Sequence, residues 1–240
     1  MKRDFLWVEK YRPHKIDECI LPDGSKKSFQ GFLTQGEIPN LLLSGPAGVG
    51  KTTVARALCD EIGASYLLIN GSDEGRSIDT IRNKVKQFAT SVSLTSSAAH
   101  KVVILDEADN MTYDVQMILR AAIEEYHINC RFIFTCNFIN KIIEPLHSRC
   151  TVVDFRVKNG QSVQLQGQFF DRLRWILKNE NVQFEDKVLA KLITRYYPDW
   201  RRLINECCLL YTSPSPRDQR GAGLPASAGK KKWGGGGGGG

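Results

Sequence analysis

The chain has 240 residues, 42% hydrophobic and 25% charged, which is enough for one α/β domain and a smaller second one, each with its own core. No apolar run approaches the roughly 20 residues needed to cross a bilayer, and the start, MKRDFLWVEKYRP, lacks the apolar stretch of a signal peptide, so a cytoplasmic protein is expected. The net charge of +7 invites nucleic acid, but residues 208–240 hold five basic residues and one acidic residue, which leaves +3 for residues 1–207. Bulk charge therefore decides little, and the local placement of basic side chains must carry any nucleic-acid reading.

In chain order, the first strand signal is Leu41–Ser44, followed by GPAGVGKT (Gly45–Thr52) and a helical pattern over Lys51–Glu61. A second strand is predicted over Tyr66–Asn70. A helix follows, with Ile78, Ile81, Val85 and Phe88 at helical spacing. The third strand, Lys101–Asp106, runs into LDEAD, and Val115, Ile118, Leu119, Ala122, Ile123 and Tyr126 mark the next helix. Strands over Arg131–Asn137 and Thr151–Phe155 complete the series. All five read as nearly continuous apolar runs, the pattern of strands covered on both faces. Their alternation with helices predicts right-handed βαβ units and a doubly wound parallel sheet with its ligand site at the carboxyl ends of the strands.

After Phe155 the strand signals stop. Val157–Ser162 (VKNGQS) is a candidate linker, and two or three helices are expected from about Gln164 to Cys207. Their apolar stripes are Phe170, Leu173, Ile176 and Leu177, then Val188, Leu189, Leu192 and Ile193. The expected domains are residues 1–156, 157–207 and a low-complexity tail over 208–240. That tail has no evident period and ends in seven glycines, and its CLLYTSPSPRD resembles the translation of a sequencing-library transposase adapter. It is therefore expected to be non-native. The seven cysteines form no CxxC pair and have no histidine at zinc-finger spacing, so reduced structural thiols are expected.

The strongest motif is GPAGVGKT, a G-x-x-x-x-G-K-[ST] pattern between a predicted strand and a predicted helix. Glycines there let backbone N–H groups turn around phosphate oxygens at a helix N-terminus whose dipole favours anions. Gly45, Pro46, Ala47, Gly48, Val49, Gly50, Lys51, Thr52 and Thr53 are the expected nucleotide contacts, so ATP is the expected ligand. Lys51 would reach the β and γ phosphates, and the Thr52 hydroxyl would bind Mg²⁺. In VVILDEAD, Asp106 would share the Mg²⁺ and Glu107 would polarise the attacking water. Alone, an Asp-Glu pair after a strand is also a common solvated turn; the upstream phosphate loop favours chemistry. Asn137 lands beside the same edge and can orient water, although a turn-forming Asn fits equally. Arg149, in EPLHSRC, can stabilise charge on a transferring phosphoryl group. Its own nucleotide lies too far along the chain, so it is expected to serve a neighbouring subunit, a surface salt bridge being the alternative.

These residues resemble the AAA+ clamp-loader subunits, which include replication factor C small subunits and the ATPase subunit of tailed-phage clamp loaders. WVEKYRP (Trp7–Pro13), GPAGVGKT, NGSDEGRSID (Asn70–Asp79), ILDEAD, the TCN ending at Asn137, IIEPLHSRC (Ile142–Cys150) and PDWRRLIN (Pro198–Asn205) stand in the family's order. The resemblance implies an AAA+ P-loop NTPase fold, a five-stranded parallel sheet with flanking helices followed by a small helical lid domain. It implies ATP-driven loading of a sliding clamp onto primer-template DNA within a hetero-oligomeric ring of five subunits. By matching position, Val8, Tyr11, Arg12 and Pro13 look like the adenine-side pocket, Asn137 like sensor 1, Arg149 like the trans-acting arginine finger and Arg201 like sensor 2, with Arg202 adjacent. The family's third, collar-forming domain is expected to be missing from this sequence. DNA-phosphate contacts are implied for Ser72, Arg76, Arg82 and Lys86, the last two also fitting an ordinary solvated face. Gln116 and Arg120, at i and i+4, are expected on the polar face of the helix after the acidic pair, where they can relay DNA or subunit contact to Glu107, a merely exposed face fitting equally. Other readings are a different AAA+ DNA motor, such as a branch-migration helicase, or an ATP-dependent scaffold that seldom hydrolyses.

Overall fold

The computed structural model describes residues 6–73, 77–91, 98, 100–157 and 160–212. Five strands, β1 (Leu41–Ser44), β2 (Tyr66–Asn70), β3 (Lys101–Asp106), β4 (Cys130–Cys136) and β5 (Thr151–Asp154), form one sheet in the order β2-β3-β4-β1-β5. All of its pairings are parallel. The short helix α1 (Trp7–Lys10) and α2 (Asp23–Gln35) precede the sheet. Helices α3 (Lys51–Ile62), α4 (Ile78–Thr90), α5 (Tyr113–Glu125) and α6 (Glu144–His147) connect its strands, and α7 (Ser162–Asn179), α8 (Asp186–Tyr196) and α9 (Trp200–Thr212) follow it.

The two-residue period of a strand divides the sheet's side chains between two cores. Leu41 and Leu43 of β1, Val102 and Ile104 of β3 and Ile133 of β4 pack with Phe29 of α2 and Val54 and Leu58 of α3. Leu42, Val103, Leu105, Phe132 and Phe134 point the other way, against Ile81 and Val85 of α4 and Val115, Leu119 and Ile123 of α5. The central strands are therefore covered on both faces, as their continuous apolar sequences predict. The edge strands differ. Only Ile69 of β2 is buried, and Thr151 and Val152 of β5 are exposed, because helices cover an edge strand incompletely. Strand β4 begins and ends one residue earlier than predicted, leaving Asn137 just beyond it.

Helices α7, α8 and α9 build a third core around Leu165, Phe169, Leu173, Ile176, Leu189, Ile193 and Leu203. Phe169, not Phe170, is the buried member of the phenylalanine pair, and it stacks on Trp200 with ring centroids 4.2 Å apart. Val188 is exposed rather than part of the α8 stripe. Trp7 of α1 is buried in this same core, so the N-terminal segment packs with helices more than 150 residues later in the chain. Helix α9 continues past Cys207 to Thr212, with Leu203 and Cys207 on its buried side; the sequence offers no breaker before Pro214. Residues 213–240 of the expected tail lie outside the described residues. Among the described residues no helix is long and apolar enough to cross a membrane.

Candidate active site

Strand order places the three motif-bearing strands side by side, since β3, β4 and β1 are consecutive in the sheet. The loop after β1, the carboxylates ending β3 and Asn137 after β4 thus meet at one edge, and all line a single pocket. Lys51, the first residue of α3, is 8% exposed, and its ammonium donates to the carbonyls of Gly45 and Pro46, 2.8 Å each, and to Asn137 Oδ1 at 2.9 Å. Burial pulls its pKa below the ordinary lysine range, while the neighbouring Cys136, Asp106 and Asp109 act against that shift. Gly48, at the tip of the loop, has φ 76°, and a side chain there would collide with the Asp199 carboxylate. The same residue's carbonyl accepts from the Arg201 N–H at 3.4 Å, so the start of α9 rests directly on the phosphate loop.

Successive side chains of a strand point to opposite faces, yet Asp106 and Glu107 both line the pocket. The backbone resolves this by turning at Glu107, which has φ 54° and ψ 45°, a left-handed conformation rare outside glycine. Gly71 makes room for the turn: its N–H donates to the Asp106 carbonyl at 2.7 Å, and any side chain on it would strike the Glu107 carbonyl oxygen. Asp106 Oδ1 accepts from the hydroxyls of Thr52 and Thr135, each at 2.6 Å. Thr135 also accepts from the Glu107 N–H at 3.1 Å. The sequence reading missed Thr135, whose signal was a lone hydroxyl in the apolar run FIFTC, next to the β3–β4 register pair Leu105 and Phe134.

Ser72, expected to contact DNA, donates to Glu107 Oε2, and Asn110 Nδ2 reaches both Ser72 Oγ at 2.9 Å and Glu107 Oε2 at 3.2 Å. Arg76 lies outside the described residues. Arg82 and Lys86 are exposed on α4, as their flanking of the apolar stripe predicts. Gln116 corrects the sequence reading: it is 3% exposed, not on a polar face. Its amide donates to the carbonyls of Met111 and Lys141 at 3.3 and 3.1 Å, and its oxygen accepts from the Ile143 N–H at 2.9 Å. It therefore ties α5 to the segment that leads from Asn137 to Arg149.

The pocket is also lined by Val8, Tyr11, Arg12 and Pro13, together with Glu18, Cys19, Ile20 and Leu21, which the sequence reading did not single out. The helices after the sheet close the pocket with Phe169, Arg172, Ile176, Trp200, Arg201 and Ile204. Arg201 lines the pocket. Arg202 does not; its guanidinium lies 4.8 Å from the Tyr196 ring centroid and 3.9 Å from Glu206. Arg149 is absent from this pocket. Its guanidinium donates to Glu124 through Nε (2.9 Å) and Nη2 (2.5 Å), and to the Pro145 carbonyl (2.9 Å), beside a separate depression lined by Met117, Arg120 and Glu144. These hydrogen bonds hold the exposed Glu124 carboxyl below its usual range.

The donor set suits a triphosphate with Mg²⁺. That ion takes oxygen ligands and is usually held by only one or two protein groups plus phosphate, a role that the converging Thr52 hydroxyl and Asp106 carboxylate match. No cluster of three or more His, Cys, Asp or Glu residues forms a self-sufficient metal site among the described residues. Burial pushes the pKa of the Cys19 and Cys59 thiols up to about 12.

Fold and site together define a P-loop nucleotide-binding domain with a helical lid. Residues 41–157 match the family described as AAA, ATPase family associated with various cellular activities, so the chain carries a domain of the AAA family. It is 40% identical over 208 residues to the sliding-clamp-loader large subunit of Escherichia phage RB69, covering 85% of this chain and 64% of that protein. The corresponding subunit of Enterobacteria phage T4 is 38% identical over 209 residues, with the same coverage. The replication factor C small subunit of Sulfolobus acidocaldarius is 41% identical over 210 residues, covering 85% of this chain and 62% of that protein. The chain thus spans just under two thirds of the length of these relatives. Among solved structures, a point variant of Thermotoga maritima RuvB matches with a TM-score of 0.62 at 21% identity, over 85% of this chain and 64% of that one, a likeness of fold.

Proposed function

We propose that this chain is the ATPase part of a sliding-clamp loader subunit, hydrolysing ATP to drive a ring-shaped clamp onto primer-template DNA during replication. The observation that carries the reading is the meeting of Lys51, Thr52, Asp106, Glu107 and Asn137 in one pocket capped by Arg201, in a chain about 40% identical to phage subunits named for clamp loading. Residues 1–156 carry the nucleotide-binding domain and residues 157–207 the lid, with companion subunits completing the ring.

Lys51 exchanges its carbonyl partners for the β and γ phosphates, and Thr52 with Asp106 would hold Mg²⁺. Mg²⁺, when bound, neutralises charge on the phosphates. Glu107 takes the proton of the attacking water, Asn137 orients that water, and Arg201 reaches the γ phosphate from the lid. Arg149 serves the nucleotide of the adjoining subunit, in keeping with its distance from its own pocket. Because Ser72 and Asn110 engage Glu107 Oε2, the base is restrained until they let go. A DNA phosphate drawn to Ser72, and to the exposed Arg82 and Lys86 on α4, frees it and couples DNA arrival to hydrolysis.

The test is steady-state ATP hydrolysis by the chain with companion subunits, with and without primed DNA and clamp. DNA and clamp together should stimulate turnover, and Glu107→Gln should bind ATP normally while losing about 10²-fold or more in rate. Neutralising Arg82 and Lys86 should lower the slope of log affinity against log salt by about 1 per phosphate contact removed. Turnover indifferent to DNA and clamp would overturn the loader reading, and an undiminished Glu107→Gln would overturn the assignment of the base.

A further inference from the structure

Building on the nucleotide-site reading, we propose that Glu180 is a positioning residue: it fastens the segment Trp7–Tyr11 to the lid, so that the base-end wall of the pocket and the lid move as one body. Glu180 caps the C-terminus of α7. A carboxylate there faces the negative end of the helix dipole, so its presence calls for partners elsewhere. The structure supplies them from the other end of the chain. Lys10 Nζ and Tyr11 Oη both donate to Glu180 Oε1, each at 2.6 Å. The hydrogen bonds are charge-assisted and short, and only 20% of the Glu180 side chain is exposed.

Three further contacts point the same way. Trp7 is buried in the lid core, Arg172 Nη2 of α7 donates to the Tyr11 carbonyl at 3.3 Å, and the Tyr11 ring stands edge-on to Trp175 of α7 at 5.5 Å. The next residues belong to the sheet domain instead. His14 lies 3.6 Å from Asp60, and the Ile16 N–H donates to Glu61 Oε2 at 2.9 Å, both carboxylates being on α3. The changeover begins at Arg12 and Pro13, with Ile20 still packed on the lid core and Gln164 of α7 donating to Asp23 at 3.3 Å. Since Val8 and Tyr11 line the pocket beside Phe169, Arg172 and Ile176, one wall of the base end is carried by the lid although it precedes the P-loop in sequence. Closing the lid therefore delivers Arg201 to the phosphates and Tyr11 to the base in a single movement, with Glu180 as the fastening.

Glu180→Ala, Glu180→Gln, Tyr11→Phe and the Glu180→Ala/Tyr11→Phe pair test this. Equilibrium binding is measured for ATP and for inorganic tripolyphosphate, which has no base, and amide hydrogen exchange of residues 7–11 is followed without nucleotide. Glu180→Ala should weaken ATP roughly five- to tenfold, the loss of about one hydrogen bond, and leave tripolyphosphate unchanged. Exchange over residues 7–11 should speed up. Glu180→Gln, which keeps an acceptor for Tyr11, should recover most of the ATP affinity, and the double variant should be no worse than its more affected parent. Equal losses for ATP and tripolyphosphate, or unchanged exchange over residues 7–11, would overturn the fastening. Wild-type protein that binds neither ligand would overturn the nucleotide-site reading itself, which the exchange arm distinguishes.

Discussion

Gln116 offers the sharpest quantitative test of the geometry. It is buried in the middle of a polar junction that joins α5 to the segment between Asn137 and Arg149, and it makes three hydrogen bonds there. In Gln116→Ala the Ile143 N–H loses its acceptor, which costs about 1–3 kcal/mol for a buried donor. The lost side-chain packing adds about 1 kcal/mol at roughly 0.8 kcal/mol per buried methylene. A destabilisation of about 3 kcal/mol follows, and at a urea m-value of about 2 kcal/mol/M the midpoint should fall by about 1.5 M. Gln116→Met keeps the volume and separates packing from hydrogen bonding, so it should lose about two thirds as much as Gln116→Ala by the same figures. Gln116→Glu presents an acceptor to the Met111 and Lys141 carbonyls and should be no better than Ala. Urea unfolding followed by circular dichroism reads the midpoint and slope together. A shift below about 0.3 M for Gln116→Ala at unchanged slope would refute the buried junction and return Gln116 to a solvated helix face.

Three other expectations follow from the same geometry. Thr135→Val preserves shape but removes the hydroxyl that donates to Asp106 and accepts from the Glu107 N–H, so turnover should drop by about tenfold or more with the apparent nucleotide affinity little changed, while Thr135→Ser should recover most of the rate; a lower affinity at undiminished turnover would contradict the role. The buried thiols Cys19 and Cys59, held at about 12, and Cys130, Cys136 and Cys207, at about 11, should resist iodoacetamide at pH 8 in the folded chain and react once it is denatured. Because these thiols ionise more readily in the unfolded chain, near 9, than in the folded one, stability should decline as pH climbs from about 9 toward 12; rapid native labelling of Cys59 at pH 8 would refute its burial.

The phosphate loop and the acidic strand end were legible in the sequence because each needs a short contiguous run of residues with fixed chemistry. The strand order β3-β4-β1 then brings three such runs together. Gln116, Thr135 and Trp7 were not legible, because a polar or aromatic side chain declares itself buried only when a distant segment returns to cover it. For Gln116 that segment is the turn around Lys141 and Ile143; for Trp7 it is the lid. The choice between Arg201 and Arg202 depended on the rotational phase of α9. Asp199 fixes that phase by accepting from the Arg202 N–H at 3.0 Å, and with Trp200, Leu203 and Cys207 buried, Arg201 is left on the pocket side. Phe169 and Phe170 were indistinguishable for a related reason: a periodic stripe tolerates a slip of one residue until the facing helix, here through Trp200, selects one of them.

The two halves of the proposed reaction are restrained in physically different ways. The left-handed turn at Glu107 costs of order 1–2 kcal/mol for a residue other than glycine, and the Thr135 hydroxyl and the Gly71–Asp106 bond hold it in place. That backbone is therefore shaped before any ligand arrives. Lys51, by contrast, has partners that phosphate oxygens can replace one for one, namely two carbonyls and an amide oxygen. Nucleotide binding then exchanges hydrogen bonds instead of creating an unpaired buried charge, which keeps its cost low. The Glu107 carboxylate stays with Ser72 and Asn110 throughout that exchange, since none of the groups displaced by phosphate touches it. A ligand that engages Ser72 should therefore change turnover without changing affinity for the nucleotide.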